Sequence, residues 1–331
     1  MIVTKSNEDD TPTSGWQDAR LHIVTGKGGT GKTTVAAAMA LALAAGGRRT
    51  LLVEVEGRQG IAQIFDIPPL PYEERKVAEA PDSGEVYALA VDAEEALLEY
   101  LEMFYRLGRA GRMLKRLGAV DFATTIAPGL RDVLLTGKVK EATTRLHRGQ
   151  RAYGAVVLDA PPTGRIGRFL NVTAEVAGLA KVGPIKSQAE GVAALLRSPM
   201  SAVHIVSVLE EMPVQETLDA IDELERLRFT VGTVIVNMTR PPLLTTATVT
   251  PAAIEEGLAA AGLPTDADVV AGLVAEAKLH QTRLAEEQKL RQQLESAGHP
   301  VLSLPFLSEG VDLSGLYTLC DALAAQGVRG H

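Results

Sequence analysis

The stretch Gly26-Lys-Gly-Gly-Thr-Gly-Lys-Thr-Thr34 decides the fold of this 331-residue chain. It follows a short run of β-branched and apolar residues at 21–25, and an alanine-rich stretch at 33–45 that favours a helix follows it. A glycine-rich loop with the spacing G-x-x-x-x-G-K-[ST] between a strand and a helix directs backbone N–H groups and a lysine toward phosphate oxygens. The sequence therefore predicts a phosphate-binding loop.

The residue types of this loop have distinct chemical roles. Lys32 is expected to contact the terminal phosphates and to take part in catalysis, and the hydroxyl of Thr33 is expected to bind Mg²⁺. The residues predicted to bind the cofactor here are Gly28, Gly29, Thr30, Gly31, Lys32, Thr33 and Thr34. This motif does not identify the base of the nucleotide.

A second motif, Val156-Val-Leu-Asp-Ala-Pro-Pro-Thr-Gly164, places an acid at the end of an apolar strand and before a rigid loop. Asp159 is expected to hold the Mg²⁺ shell through water and to contribute to catalysis. The loop at 161–164 is expected to respond to the γ-phosphate. The two motifs together predict a metal-dependent site for phosphoryl chemistry.

Apolar runs separated by helical patterns indicate the architecture. Besides residues 21–25, these runs lie at 50–55, 86–91, 155–158, 202–208, 231–236 and 301–304. Strands of continuous apolar character belong to parallel sheets that helices cover on both faces. We therefore expect an α/β fold with a doubly wound, mostly parallel sheet of the P-loop NTPase type.

The domain organisation follows from the regions that lack such runs. Residues 1–19 are polar and acidic, which predicts a disordered tail. Residues 20–331 form the predicted P-loop NTPase domain. Within it, about 94–145 and 165–200 show helical patterns without strands, which indicates a reduced, inserted helical subdomain.

Composition excludes several classes of protein. A net charge of −8 argues against nucleic acid as a partner, and no apolar stretch has the roughly 20 residues that span a bilayer. The single cysteine, Cys320, cannot build an all-cysteine zinc or iron–sulfur site, so we expect no zinc. The N-terminus lacks the apolar core of a signal peptide, which predicts a cytoplasmic protein.

These motifs resemble those of the arsenite-pump and tail-anchored-protein-targeting ATPases, whose deviant phosphate loop reads K-G-G-x-G-K-T-T. Weaker matches are Ala127-Pro-Gly-Leu130, Ile235-Val-Asn237 and Leu304-Pro-Phe-Leu307, so the resemblance covers the chain from Leu21 to its end. The resemblance implies ATP and Mg²⁺ as cofactors. It also implies that Lys27 acts on the nucleotide of the opposite subunit of a dimer. The residues that would hold adenine are Asn237, Pro305, Phe306 and Leu307.

The chain departs from the family pattern after its second strand. The family has an acid followed by Pro-Ala-His, where the acid orients the attacking water, whereas this chain has Glu56-Gly-Arg-Gln-Gly60. Glu56 takes the place of that acid with a longer side chain and without the rigid proline, which predicts slow hydrolysis. Gln59 is an alternative residue for orienting the water.

The resemblance implies a Mg-ATP-dependent dimeric switch whose nucleotide state controls the binding of a partner or client. The dimer is either a homodimer or a heterodimer with a paralogous ATPase. A protein client or a membrane partner would bind through the helical subdomain, where residues 106–117 are rich in arginine and lysine, and would allow peripheral attachment to the inner face of the membrane. The alternatives are the ATPase subunit of an anion efflux system and a positioning ATPase of the partition or cell-division-site class.

Overall fold

The computed structural model describes residues 16–105, 128–172, 184–241, 243 and 249–330. The basic stretch at 106–117 and Ala127 of the match Ala127-Pro-Gly-Leu130 lie outside these ranges.

Eight strands form the central sheet. In chain order with the short hairpin strands β5 and β6 they are β1 (Leu21–Gly26), β2 (Arg49–Glu54), β3 (Arg75–Ala80), β4 (Gly84–Ala90), β5 (Leu146–His147), β6 (Gln150–Arg151), β7 (Ala155–Asp159), β8 (Ser201–Ser207), β9 (Val231–Thr239) and β10 (Val301–Pro305). The order across the sheet is β10-β9-β8-β1-β7-β2-β4-β3, and β5 pairs with β6 separately. Neighbours in the sheet are parallel except β3 and β4. The predicted fold class is confirmed.

Helices cover both faces of this sheet. They are α1 (Lys32–Ala44), α2 (Gly60–Ile64), α3 (Ala93–Tyr105), α4 (Pro128–Thr144), α5 (Thr163–Leu170), α6 (Pro184–Leu196), α7 (Glu211–Arg226), α8 (Pro251–Ala260), α9 (Ala267–Glu295) and α10 (Leu313–Ala325). Among the described helices, none combines the length and apolar character that crossing a membrane requires.

Alternating side chains of each strand belong to two separate cores. Ile23 of β1 and Val156 of β7 pack with residues of α3, α4, α5, α6 and α7 on one face. Val24 and Val157, the next residue in each strand, pack with α1 and α10 on the other face. Because successive side chains of a strand point to opposite faces, strands covered on both sides must be apolar throughout. This explains why uninterrupted apolar runs predicted these strands.

Helices α3, α4, α5 and α6 lie in the two ranges for which helical patterns were predicted. Helix α4 packs against α3 and α6, and buried residues of all three join the core that contains the strands. The helices are thus continuous with the sheet domain on this face. The boundaries of a helical subdomain stay a prediction.

The edge strand β3 is absent from the strands predicted above. Its sequence, Arg-Lys-Val-Ala-Glu-Ala, is charged, and its side chains are mostly exposed or half-buried. It pairs antiparallel with β4, and Lys76 forms an ion pair with Glu85 of that strand at 3.1 Å. An edge strand needs only one partner and one buried face, so it lacks the continuous apolar run that marks a central strand.

The ordered fold begins before residue 20, where the predicted tail was expected to end. Trp16 is 5% exposed and packs edge-on against the His204 ring, with ring centroids 5.4 Å apart. Ala19 is buried as well, and its N–H donates to the carbonyl of Trp16 at 3.0 Å. The predicted boundary at residue 19 is therefore wrong for residues 16–19. Trp16 stands alone among polar residues, so the sequence shows no helix or strand periodicity there that would predict ordered structure.

Gly84, at the start of β4, shows how closely α1 approaches the sheet. A methyl group at this position would collide with the carbonyl oxygen of Ala44 in α1. We expect Gly84→Ala to lower the free energy of unfolding by about 1–3 kcal/mol, because the backbone must move. Gly257→Ala is the matched control, since Gly257 lies in the exposed helix α8 with open space around it.

Urea unfolding of both variants measures this difference. The control is expected to gain roughly 0.5–1 kcal/mol from the helix propensity of alanine. Equal stability changes in the two variants would contradict the close packing of α1 on the sheet.

Candidate active site

The carboxyl ends of the central strands bring the predicted site residues to one edge of the sheet. β1 runs into the phosphate loop, β7 ends at Asp159, and Asn237 lies near the end of β9. β7 lies between β1 and β2, so the loop after β1 and Asp159 are neighbours. In doubly wound sheets, ligands bind outside the carboxyl ends of the strands. The predicted site residues therefore lie where a ligand is expected to bind in such a sheet.

Side chains around the phosphate loop hold it in shape. Gly31, the N-cap of α1, has a φ of 84°, and a side chain there would collide with the amide of Asn237. The Asn237 amide nitrogen donates to the carbonyl oxygen of Thr30 at 2.9 Å. The Thr30 hydroxyl donates to the carbonyl oxygen of Lys27, also at 2.9 Å. Both the left-handed backbone and the close approach therefore require glycine at position 31.

The two residues predicted to hold Mg²⁺ are in direct contact. The Thr33 hydroxyl donates to Oδ2 of Asp159 at 2.7 Å. Oδ1 of Asp159 is buried and accepts no hydrogen bond from the described residues. Hydroxyl and carboxylate oxygens are the hard donors that Mg²⁺ prefers. The described residues contain no group of three histidine, cysteine or acidic side chains arranged for a metal, so phosphate and water would complete the shell. The donors present fit Mg²⁺.

Burial and neighbouring charges shift the ionisation of this site. The pKa of Asp159 is raised to about 6, mainly by burial and also by the charges of Glu54 and Glu56. The Thr33 hydrogen bond and the charge of Lys32 lower it and partly oppose this rise. Burial also lowers the pKa of Lys32, and the nearby Asp159 and Glu56 partly oppose that effect. The site is therefore a half-buried lysine among three acids, where a divalent cation would relieve repulsion between carboxylates.

Glu56 lies beside two arginines. Its side chain is 16% exposed, and its two carboxylate oxygens face Arg58 Nε at 3.7 Å and Arg165 Nη1 at 3.6 Å. Arg165 belongs to α5, directly after the loop at 161–164. Both arginines are largely exposed, so the ion pairs are individually weak. They connect the segment after β2 to the segment after β7.

Gln59 has a structural contact at both ends of its amide. Its nitrogen donates to the carbonyl oxygen of Leu70 at 3.1 Å, and its oxygen accepts from the Leu70 N–H at 2.7 Å. Because both groups are engaged, Gln59 holds the segment at 59–70, which contains α2, in this structure. The alternative of Gln59 as the water-orienting residue would require those two bonds to break.

Lys27 forms an ion pair within its own chain. Its Nζ lies 2.7 Å from Oε1 of Glu216 in α7, and both side chains are about one third exposed. The other oxygen of Glu216 accepts from the hydroxyl of Thr163 at 3.3 Å. Glu216 thus connects the phosphate loop to the first residue of α5. The action of Lys27 across a dimer stays a prediction.

A cavity of about 790 Å³ lies between the end of β9 and α9. Asn237, Arg240 and Phe306 line it, with Arg240 stacked over the Phe306 ring at 4.4 Å. Its volume lies in the usual range for small-molecule sites. Of the predicted adenine residues, Phe306 donates its N–H to the Thr239 carbonyl oxygen at 2.8 Å, and Pro305 ends β10. The Leu307 carbonyl oxygen accepts from Gly310, so part of this backbone is already bonded.

Three residues at this edge were not predicted from the sequence. Glu54 ends β2 and is 3% exposed, and its position two residues before Glu56 on an apolar strand was the available signal. Glu216 and Arg165 contact predicted site residues across long separations in the chain. No local pattern marks such partners, because they depend on how α7 and α5 pack.

The sheet and the loop between β1 and α1 define the class of P-loop NTPases. Comparison with known proteins narrows this class. The model of a family described as anion-transporting ATPase matches residues 19–200, more than half of the chain. The chain therefore belongs to this ATPase family, and it is an ATPase. The resemblance seen in the sequence motifs is confirmed.

Individual relatives agree with this assignment. ATPase BagA of Mycobacterium tuberculosis is 56% identical over 344 residues, which cover 99% of this chain and 100% of that protein. The arsenical pump-driving ATPase of Acidiphilium multivorum is 27% identical over 311 residues, which cover 91% of this chain and 48% of that protein. The chain thus matches about half the length of that pump-driving ATPase.

The raised pKa of Asp159 predicts how stability depends on pH. Folding keeps the proton on this carboxyl up to about pH 6, so its contribution to stability is present below pH 3.8 and is lost as pH rises through 6. We expect Asp159→Asn to raise the free energy of unfolding of the nucleotide-free protein by about 1–3 kcal/mol at pH 7.5. The gain should shrink toward pH 4.

Urea unfolding of wild type and variant between pH 4 and pH 8 measures this gain. Glu256→Gln is the control, because Glu256 is an exposed acid of α8. A gain that does not change with pH, or that equals the change in the control, would contradict the assigned ionisation.

Proposed function

We propose that this ATPase is a Mg-ATP-dependent dimeric switch that hydrolyses ATP slowly and couples its nucleotide state to the binding of a partner or client. The contact between Thr33 and Asp159 at the base of the phosphate loop carries the proposal. It joins the two residue types that hold Mg²⁺ in P-loop enzymes, and Lys32 lies beside them.

The residues predicted from the sequence motifs have distinct roles in this proposal. The loop N–H groups and Lys32 bind the β- and γ-phosphates. The N–H groups point toward the phosphate oxygens, and the position of Lys32 in the loop brings its charge close to them. The Thr33 hydroxyl and, through water, Asp159 hold Mg²⁺, which neutralises charge on the phosphate oxygens when bound. Asn237 and Phe306 face the base from the cavity beside the loop.

Slow hydrolysis follows from the surroundings of Glu56. This carboxylate must orient a water and accept hydrogen-bonding from it, but in the structure its oxygens face Arg58 and Arg165. These ion pairs orient the carboxylate toward the arginines rather than toward a water. Turnover then requires these pairs to loosen, which adds a conformational step.

The switch proposal rests on Lys27 and Glu216. To act on the nucleotide of an opposite subunit, Lys27 must leave Glu216, and that carboxylate also accepts from Thr163 at the start of α5. Release of the lysine and rearrangement of the segment at 161–164 are therefore linked. The opposite subunit is either an identical chain or a paralogous ATPase.

The partner or client would bind the helices that follow the segment at 161–164. Arg165 in α5 contacts Glu56, and α5 packs against α4, so motion at the nucleotide edge can reach the helical face. The competing proposal is the ATPase subunit of an anion efflux system, which the description of the matched family favours. Stimulation of hydrolysis by an oxyanion would support that alternative.

Lys32→Ala tests the nucleotide site. We expect calorimetric titration with Mg-ATP to lose at least about 100-fold in affinity, roughly 2.7 kcal/mol, because the phosphates lose the lysine of the loop. Lys278→Ala, which removes an exposed lysine of α9, is the control and should bind as wild type does. Wild-type affinity in Lys32→Ala would contradict the proposed site.

Lys27→Ala tests the action across the dimer. We expect this variant to keep Mg-ATP affinity but to lower turnover at least about tenfold, roughly 1.4 kcal/mol. In a homodimer, mixing it with Lys32→Ala should restore activity, because one subunit then binds ATP and the other supplies Lys27. Absence of recovery, with subunit exchange verified, would place the lysine in its own subunit's site or indicate a paralogous partner.

A further inference from the structure

Glu54 is a buried acid that the roles above leave unused. It is the last residue of β2 and is 3% exposed. The pairing of β2 with β7 places it directly beside Asp159, the last residue of that strand. Paired residues of neighbouring strands project from the same face of a sheet. The two carboxylates therefore share one side of the carboxyl edge.

Only half of the Glu54 carboxylate is engaged. Oε2 accepts from the N–H of Ile61 in α2 at 3.1 Å. Oε1 is buried and, within the described part of the chain, accepts no hydrogen bond. Oδ1 of the neighbouring Asp159 is likewise buried and accepts no hydrogen bond from the described residues. Buried carboxylate oxygens without partners are unfavourable, so two of them side by side require an explanation.

The start of α2, to which Glu54 bonds, also lies against Thr33. A Cβ atom at Gly60, the residue before Ile61, would lie 3.3 Å from Thr33 Cγ2 and 3.6 Å from Thr33 Oγ1. The Thr33 hydroxyl in turn bonds Asp159. Glu54, Asp159 and Thr33 therefore converge from three segments, the end of β2, the end of β7 and the start of α1.

We propose that Glu54 is a further residue of the metal site, where Oε1 accepts a hydrogen bond from a water bound to Mg²⁺. This inference rests on the proposed Mg-ATP function. A hydrated divalent cation satisfies both free oxygens and offsets the repulsion between the carboxylates, and Mg²⁺ keeps several of its waters in proteins. Because Oε2 holds Ile61, the same carboxylate also positions the segment at 56–60, which contains Glu56.

A purely structural role is the competing explanation. In that case the hydrogen bond from Ile61 accounts for Glu54, and the charge at Oε1 has no function. Glu54→Gln separates the two, since glutamine has nearly the same shape and its carbonyl oxygen can still accept from Ile61. The substitution removes only the negative charge and one acceptor.

The experiment measures how much Mg²⁺ increases nucleotide affinity. A non-hydrolysable ATP analogue is titrated calorimetrically into wild type and Glu54→Gln, once with excess Mg²⁺ and once with EDTA. We expect equal affinities in EDTA and a gain from Mg²⁺ at least about fivefold smaller in the variant, because a charged outer-shell partner is lost. Glu54→Asp should retain part of the gain, and Glu256→Gln all of it.

Each other result overturns the inference. An unchanged gain in Glu54→Gln would place Glu54 outside the metal shell. Equal losses in EDTA and in Mg²⁺ would give Glu54 a role in the fold alone, and urea unfolding of the variants would register that loss independently. No gain in the wild type, with the analogue still bound, would instead refute the proposed Mg²⁺ dependence on which this inference rests.

Discussion

The hydrogen bond from Thr33 to Asp159 joins the phosphate loop to the centre of the sheet. Asp159 ends β7, which the sheet order places between β1 and β2. The loop leaves β1 on one side of it, and Glu54 ends β2 on the other. This contact therefore depends on parallel strands in this order, and the same order places Glu54 beside Asp159.

The charged side chains at this edge already lie beside other charged groups of the same chain. Asp159 and Glu54 are buried neighbours, while Glu56 and Lys27 form ion pairs within the chain, with arginines and Glu216 respectively. In our proposal, Mg²⁺ bound with the nucleotide relieves the repulsion between Asp159 and Glu54. The nucleotide of an opposite subunit competes with Glu216 for Lys27. Turnover then depends on rearranging existing contacts, which is consistent with a slow switch rather than a fast enzyme.

Sequence reasoning succeeded where local pattern determines structure. The strands are covered on both faces, so their apolar runs are visible, and the phosphate loop and Asp159 lie within short motifs. It failed at β3, an edge strand with charged residues, and at Trp16, which packs against the distant His204. The Glu216 partner of Lys27 lies 189 positions away along the chain. Contacts of that kind depend on helix packing, which no local motif records.

We propose above that this edge of the sheet binds Mg²⁺ and ATP together at one site. Thermal unfolding of the wild-type protein with Mg²⁺ alone, with a non-hydrolysable ATP analogue alone, and with both measures it most directly. Ligands that bind only the folded state raise the unfolding midpoint, and two ligands that bind at the same time in favourable contact enhance each other's binding. We expect the increase with both ligands to be larger than the sum of the separate increases. Strictly additive increases would contradict it.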